Sequence, residues 1–203
     1  MGDHSIIADV NDVLIRLLTE GMQSAFPTDP PDISLKSPSE VASDGDAGKR
    51  QLSLFLFRVV EDGDLANEPI ERADSAREKH PPLNLRLHYL LTPYSKDRAD
   101  EHRIFGRALQ ILHDHGSLDE SHTSSERGNF SKESDDLRLV FRPLDIEAST
   151  QVWNALSIPY RLSACYEVGP ISVDSERFRT VSRVVETVAR HGVPVGQESG
   201  AVE

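Results

Sequence analysis

The sequence predicts an α/β domain of the α+β kind, in which one mixed or antiparallel sheet packs with about three helices. Apolar residues recur at helical spacing in the opening segment, two later segments alternate apolar and polar residues, and long polar stretches separate successive strands. The polar stretches carry little that a crossover helix would bury, so the sheet is not expected to be all-parallel.

Taking the elements in order, Ile6, Val10, Val13, Leu14, Leu17 and Leu18 fall three or four apart between Ser5 and Met22, which places them on one stripe of an amphipathic helix. Ser5 is the expected N-cap and Gly21 the expected stop, with Pro27, Pro30 and Pro31 beyond it. A short extended segment, Ile33 to Leu35, leads to Ser37 to Arg50, rich in Ser, Asp, Gly and Pro, which reads as a mobile surface loop. From Gln51 to Val60, Leu52, Leu54 and Leu56 point to one face while Phe55, Phe57 and Val59 point to the other, the pattern of a central strand covered on both sides. Glu61 to Lys79 is a second polar stretch. Leu83, Leu85, Leu87, Tyr89 and Leu91 then share one face of a strand whose other face carries Asn84, Arg86 and His88, and Pro93 is expected to close it.

Helical spacing returns from Asp97 to His115 with Phe105, Ala108, Leu109 and Leu112, capped by Gly116. A third polar loop, Asp119 to Asp136, precedes a short strand from Leu137 to Phe141. Leu144 to Leu156 reads as a helix with Val152, Trp153 and Leu156 inward, ended by Pro159. Leu162 to Val168 is the last strand expected. Beyond it, Val181, Val184, Val185 and Val188 have helical spacing although Val favours strands, and both readings stay open.

The 203 residues suit one domain with a substantial core. A net charge of −12 repels nucleic acid and anionic lipid, and no basic patch visible in the sequence offsets it. Arg outnumbers Lys 17 to 5, a bias that fits a GC-rich genome or adaptation to high salt and bears on neither fold nor function. The single cysteine, Cys165, excludes an intramolecular disulfide and sits in a strand, where a buried, inert thiol is expected. No signal-peptide pattern opens the chain, and no apolar run approaches the ~20 residues that span a bilayer. Cytoplasmic synthesis of a soluble chain is the expectation.

Catalytic and metal motifs are absent: the sequence holds no glycine-rich phosphate loop, no G-x-S-x-G, no H-E-x-x-H and no paired cysteines. His113 and His115 are two positions apart at a helix end, a spacing at which their side chains diverge, so they read as complements to the helix dipole rather than metal ligands. Glu101 and His102 are adjacent and point in different directions. His88 lies on a polar strand face and reads as a wet face or subunit contact. The expectation is therefore a protein that is not an enzyme and has no catalytic residue, cofactor or metal. Against it stands a small enzyme or ligand-binding module with a pocket beside the central strand and His88 as its acid or base.

Two blocks carry a resemblance. HPPLNLRLHYLLTPYSKDRADEHRIFGRALQILHDHGSL, from His80 to Leu118, holds the Pro81-Pro82 pair, a strand with Leu85, Leu87, His88, Tyr89, Leu90, Leu91 and Thr92, and Glu101-His102-Arg103 opening a helix. RPLDIEASTQVWNALSIPYRLSACYEV adds Pro143, Leu144, Trp153, Leu156, Pro159, Tyr160, Arg161, Ser163 and Tyr166. With the opening helix IADVNDVLIRLL, these resemble the cap, or tail terminator, family of extracellular contractile injection systems of the antifeeding-prophage type. The resemblance runs from about Ile6 to Val173; the loops Ser37 to Arg50 and Asp119 to Asp136 and the tail beyond Asp174 lie outside it.

That family membership would imply a phage tail-terminator-like fold over residues 1–173 and a C-terminal extension, 174–203, that contacts a neighbouring subunit or the sheath or is partly disordered. It would imply a structural cap: a ring, expected to be hexameric, on the end of the inner tube, which stops elongation and anchors the last sheath ring. The partners would be further copies, the tube protein and the sheath protein, with no nucleic acid and no membrane. Assembly would be cytoplasmic, within a particle that can be released from the cell. A baseplate or adaptor role in the same particle is the alternative. Tyr94, Tyr160 and Arg161 flank strand ends and are the expected interface residues, since Tyr and Arg are enriched where proteins meet.

Overall fold

The computed structural model describes residues 4–44, 48–63, 72–74, 77–118 and 137–180. Helix α1, Ile6–Ala25, buries Ile6, Val10, Val13, Leu14, Leu17, Leu18 and Met22, the predicted stripe extended by one turn. Each such side chain contributes about 1.5–3 kcal/mol on leaving water. Ser5 is the N-cap residue, as expected, but Gly21 is not the stop. The Ser5 backbone is already helical and makes no cap bond; its hydroxyl donates to Asp9 Oδ2 instead, at 2.9 Å. Gly21 does not stop the helix, which continues to Ala25, where the Phe26 N–H closes on the Met22 carbonyl.

Strand β1, Asp32–Ser34, runs parallel to β2, Gln51–Glu61. Between them, where a loop is predicted, lies the short helix α2, Pro38–Ser43. Its signal is local: the Ser37 hydroxyl accepts from the Glu40 N–H, the Glu40 carboxylate accepts from the Ser37 N–H, Pro38 fills the first turn, and Val41 is buried. Segment composition masked a capping box that residue spacing announces.

Strand β5, Leu83–Tyr94, pairs antiparallel with β2, and β8, Ala164–Val173, pairs antiparallel with β5. Strands β6, Ser117–Leu118, and β7, Leu137–Phe141, complete the order β1-β2-β5-β8-β7-β6, a mixed sheet with one parallel pair. Pro93 does not close β5. It lies opposite Leu52, while β8 begins at Ala164, opposite Leu91, so the missing N–H falls where β5 has a neighbour on one side only. The polar stretch after β2 also differs from expectation: β3, Arg72–Asp74, and β4, Arg77–Lys79, join β9, Phe178–Thr180, in a second sheet of order β3-β4-β9. Each pairing there is an antiparallel backbone ladder, Arg77–Lys79 lying opposite Phe178–Thr180. The predicted loop 119–136 and the valine-rich segment beyond Thr180 lie outside the described residues.

Helix α3, Arg98–Asp114, packs with α1 on one face of the large sheet, where Leu52, Leu54, Leu87, Tyr89, Leu91, Tyr166 and Val168 are buried among Leu14, Leu18, Ile104, Ala108 and Leu112. The α1–α3 approach is close enough that a Cβ on Gly21 would stand 2.6 Å from Ile111 Cδ1. Gly21 is there for proximity, not for termination. His115 ends α3 by directing its N–H to the Ile111 carbonyl, and Gly116 beyond it does not adopt the left-handed conformation of the expected cap. The register puts Leu90, Thr92 and Cys165 on the opposite face of the sheet, also buried; Val41 of α2 and Trp153 of α4, Ile146–Ala155, are buried too. The result is an α+β fold with four helices among the described residues.

Candidate assembly surface

Helix α4 builds the surface. Asp145 caps it, accepting from the Ala148 N–H at 2.7 Å, and it ends where the Leu156 N–H meets the Val152 carbonyl. Ser157 then adopts a left-handed conformation, φ 57°, earlier than the expected end at Pro159. A serine carries strain of about 1–2 kcal/mol there. This turn brings Ile158-Pro159-Tyr160 back across the helix, so that the Tyr160 ring meets Trp153 at 5.7 Å and 59°. One wall of the resulting groove, about 540 Å³, is a single face of α4: Ile146, Ser149, Thr150 and Trp153. Trp153 is only 2% exposed, yet Ile146, two turns earlier on the same side, is 88% exposed.

Across Ile158, Pro159 and Tyr160 this apolar groove joins a polar one of about 640 Å³, lined among others by Tyr94, Lys96, Arg98, Glu101, His102 and Arg161. Its centre is fixed. The Arg161 guanidinium stacks 4.7 Å above the Tyr94 ring and donates to Glu101 Oε1 at 2.5 Å. Tyr94 donates in turn to the Pro38 carbonyl at 3.4 Å, and burial pushes its phenol up to about 12. The neighbouring Arg50 is held similarly, by Asp100 at 2.8 Å and by the Asp29 carbonyl.

The three residues expected at an interface therefore lie together, in unequal settings. Tyr160 is 65% exposed, Arg161 is partly exposed, and Tyr94 is buried beneath Arg161. Sequence reasoning missed Ile146, Lys96, Arg98 and His102. Ile146 shares the seven-residue spacing of the Trp153 stripe, which predicts burial, and only the fold shows that nothing in the described chain covers it.

The residues weighed for chemistry are engaged elsewhere. Glu101 is held by Arg161, while His102 next to it is exposed. Cys165 is 3% exposed and burial pushes its thiol up to about 11, far from a thiolate at neutral pH. The His115 ring lies 2.8 Å from the Ile111 carbonyl, and among the described residues no group of three or more His, Cys, Asp or Glu could hold a metal. His88 lies on the sheet face away from α1, its Nε2 4.0 Å from Glu167 Oε2. That carboxylate is occupied by Arg86 at 3.1 Å and Arg142 at 3.2 Å, and Arg86 also donates to buried Asp62 at 2.8 Å. Burial works against the Glu167 charge, but the two arginines outweigh it and hold the carboxyl below its ordinary range.

Among the described residues no helix is long and apolar enough to cross a membrane. Comparison with curated proteins finds no match. Among solved structures the fold is similar to that of a sheath/tube terminator of an extracellular contractile injection system, PVC, in the extended state: TM-score 0.64, 18% identity, 97% of this chain and 67% of that one. It is similar too to the tube-terminating cap of the anti-feeding prophage: TM-score 0.56, 18% identity, 90% of this chain and 60% of that one. The chain thus spans about two thirds of each neighbour's length or less. At this identity the likeness concerns the fold, but the model of the Pvc16 N-terminal domain matches residues 9–187, nearly the whole sequence, and the chain belongs to that family.

Proposed function

We propose that the protein is a structural cap, a tail terminator, of a phage-tail-like contractile injection system. Copies close into a ring, expected to be hexameric, on the end of the inner tube, block addition of the next tube ring and anchor the last sheath ring. The observation that carries this reading is a terminator-like fold over 97% of the chain, in a member of the Pvc16 N-terminal domain family. The protein works without turnover. Its tyrosine and arginine chemistry is tied up in packing and ion pairs, which suits a part that must hold its shape under load.

Ring closure needs different, complementary surfaces on each copy. Tyr160 and Arg161 lie on one of them, with Tyr94 setting the position of Arg161 from below. Within the extension 174–203, the part beyond β9 reaches a neighbouring copy or the sheath, and the particle assembles in the cytoplasm before release. In particles produced without this chain, negative-stain microscopy is expected to show tubes or sheaths of uncontrolled length. Ordinary lengths in that deletion contradict the reading.

A further inference from the structure

The face of α4 that lines the apolar groove is built like a buried face and is not one. Ile146, Ser149, Thr150 and Trp153 occupy successive turns of a single side, but Ile146 and Thr150 are exposed, Ser149 is half-buried, and Trp153 alone is buried, against the returning Tyr160. An isoleucine 88% exposed beside a tyrosine 65% exposed marks a surface that gains from a partner. The adjoining polar groove has the opposite character. It is lined by Lys96, Arg98 and Arg161 against the single carboxylate of Glu101, which Arg161 already neutralises, and His102 stands exposed beside them. In a chain of net charge −12, such a basic lining runs against the general field.

Resting on the cap reading, we propose that the joined grooves receive an extended segment of a partner protein in which a bulky apolar side chain precedes or follows carboxylates by a few residues. The apolar side chain seats against Ile146, Trp153 and Tyr160, and the carboxylates meet Lys96, Arg98 and Arg161. Both grooves share Ile158, Pro159 and Tyr160, so one strand of peptide crosses from one to the other. The receiving surface is pre-organised. Trp153 and Tyr94 are buried, and Arg161 is held from below by a ring and from the side by a carboxylate, so little order is lost on binding. Aromatic anchors supply most of the affinity, and the cations supply register and encounter rate.

Trp153 is the only tryptophan in the sequence, so its emission reports the groove floor directly. The probe is a capped heptapeptide with one phenylalanine, one leucine and three glutamates, titrated into the purified chain. A saturable change in Trp153 emission is expected, weakened by added salt and weakened roughly tenfold or more in Lys96→Glu/Arg98→Glu. Both residues are exposed, so the double variant should keep its fold, checked by circular dichroism. Tyr160→Ala is expected to weaken binding without removing the salt dependence. Equal affinity for a peptide with glutamine or lysine in place of glutamate overturns the proposal. So does the absence of saturation, tighter binding of single-stranded DNA, or an equal response to anionic vesicles. The two readings fail separately: overlong tubes in the deletion with no peptide binding removes this inference alone, and ordinary tubes with intact binding removes the cap alone.

Discussion

At the scale of single residues, the sequence showed which side chains belong to the interior but not what they meet there. His88 is the sharpest case. Alternation placed it correctly on the face shared with Arg86, but not in an ion-paired row with Arg86, Glu167 and Arg142, because that row joins strands some eighty positions apart. Burial holds the His88 imidazole below its usual range; Glu167 opposes this, and the cations of Arg58, Arg142 and Arg86 reinforce it. The folded chain therefore takes up this proton less readily than the unfolded one. The associated stability is complete above the unfolded value of 6.5 and diminishes as the pH falls below it. Denaturant midpoints are expected to drop between about pH 7.5 and pH 5.5, and His88→Asn is expected to flatten that slope. An unchanged slope in the variant would show that His88 is not the group responsible. Glu167, with its carboxyl held low, acts in a separate and more acidic window.

At the scale of elements, the long amphipathic pieces were legible and their ends were not. Helices α1, α3 and α4 and strands β2, β5, β7 and β8 all follow from periodicity, which many residues vote on together. Ends rest on one or two residues and on tertiary surroundings. Gly21 shows this best, since a glycine near the end of an apolar stripe signals a stop unless a second helix passes close by. Replacing it with alanine should favour helix by about 1 kcal/mol from propensity alone, but the added Cβ would press on the buried Ile111 side chain. We expect Gly21→Ala to lower stability by roughly 1–3 kcal/mol, the range for overpacked cores. Combination with Ile111→Ala, which removes Cδ1, Cγ1 and Cγ2 together, should cost less than the two single changes added. Chemical denaturation of the two single variants and the double variant gives the coupling directly, and a stabilised Gly21→Ala protein would refute the close-approach account.

At the scale of the whole molecule, a mixed or antiparallel sheet packed with helices was foreseeable, whereas strand order was not. Nothing local in Ala164–Val173 says that it must lie between β5 and β7. The candidate surface was half legible for the same reason: Tyr160 and Arg161 stand out by type, but the cations that join them come from the far end of β5 and the start of α3. Native mass spectrometry of the purified protein, alone and with tube ends, is expected to reveal a closed ring of about six copies, in keeping with cyclic symmetry. A chain that stays monomeric on tube ends would contradict that.

The mid-sheet position of β8 also has a consequence in time. Strands β2 and β5 leave the ribosome early and can pair at once, but the β6–β7 pair attaches to them only through β8, whose last residue is Val173. Such distant pairing makes folding slow and leaves one edge of β5 open until β8 has been made. The turn at Ser157 and the strand that follows it are likewise made after β5. Until that strand is complete, the open backbone edge of β5 can be taken by another chain, so folding of this sheet competes with aggregation.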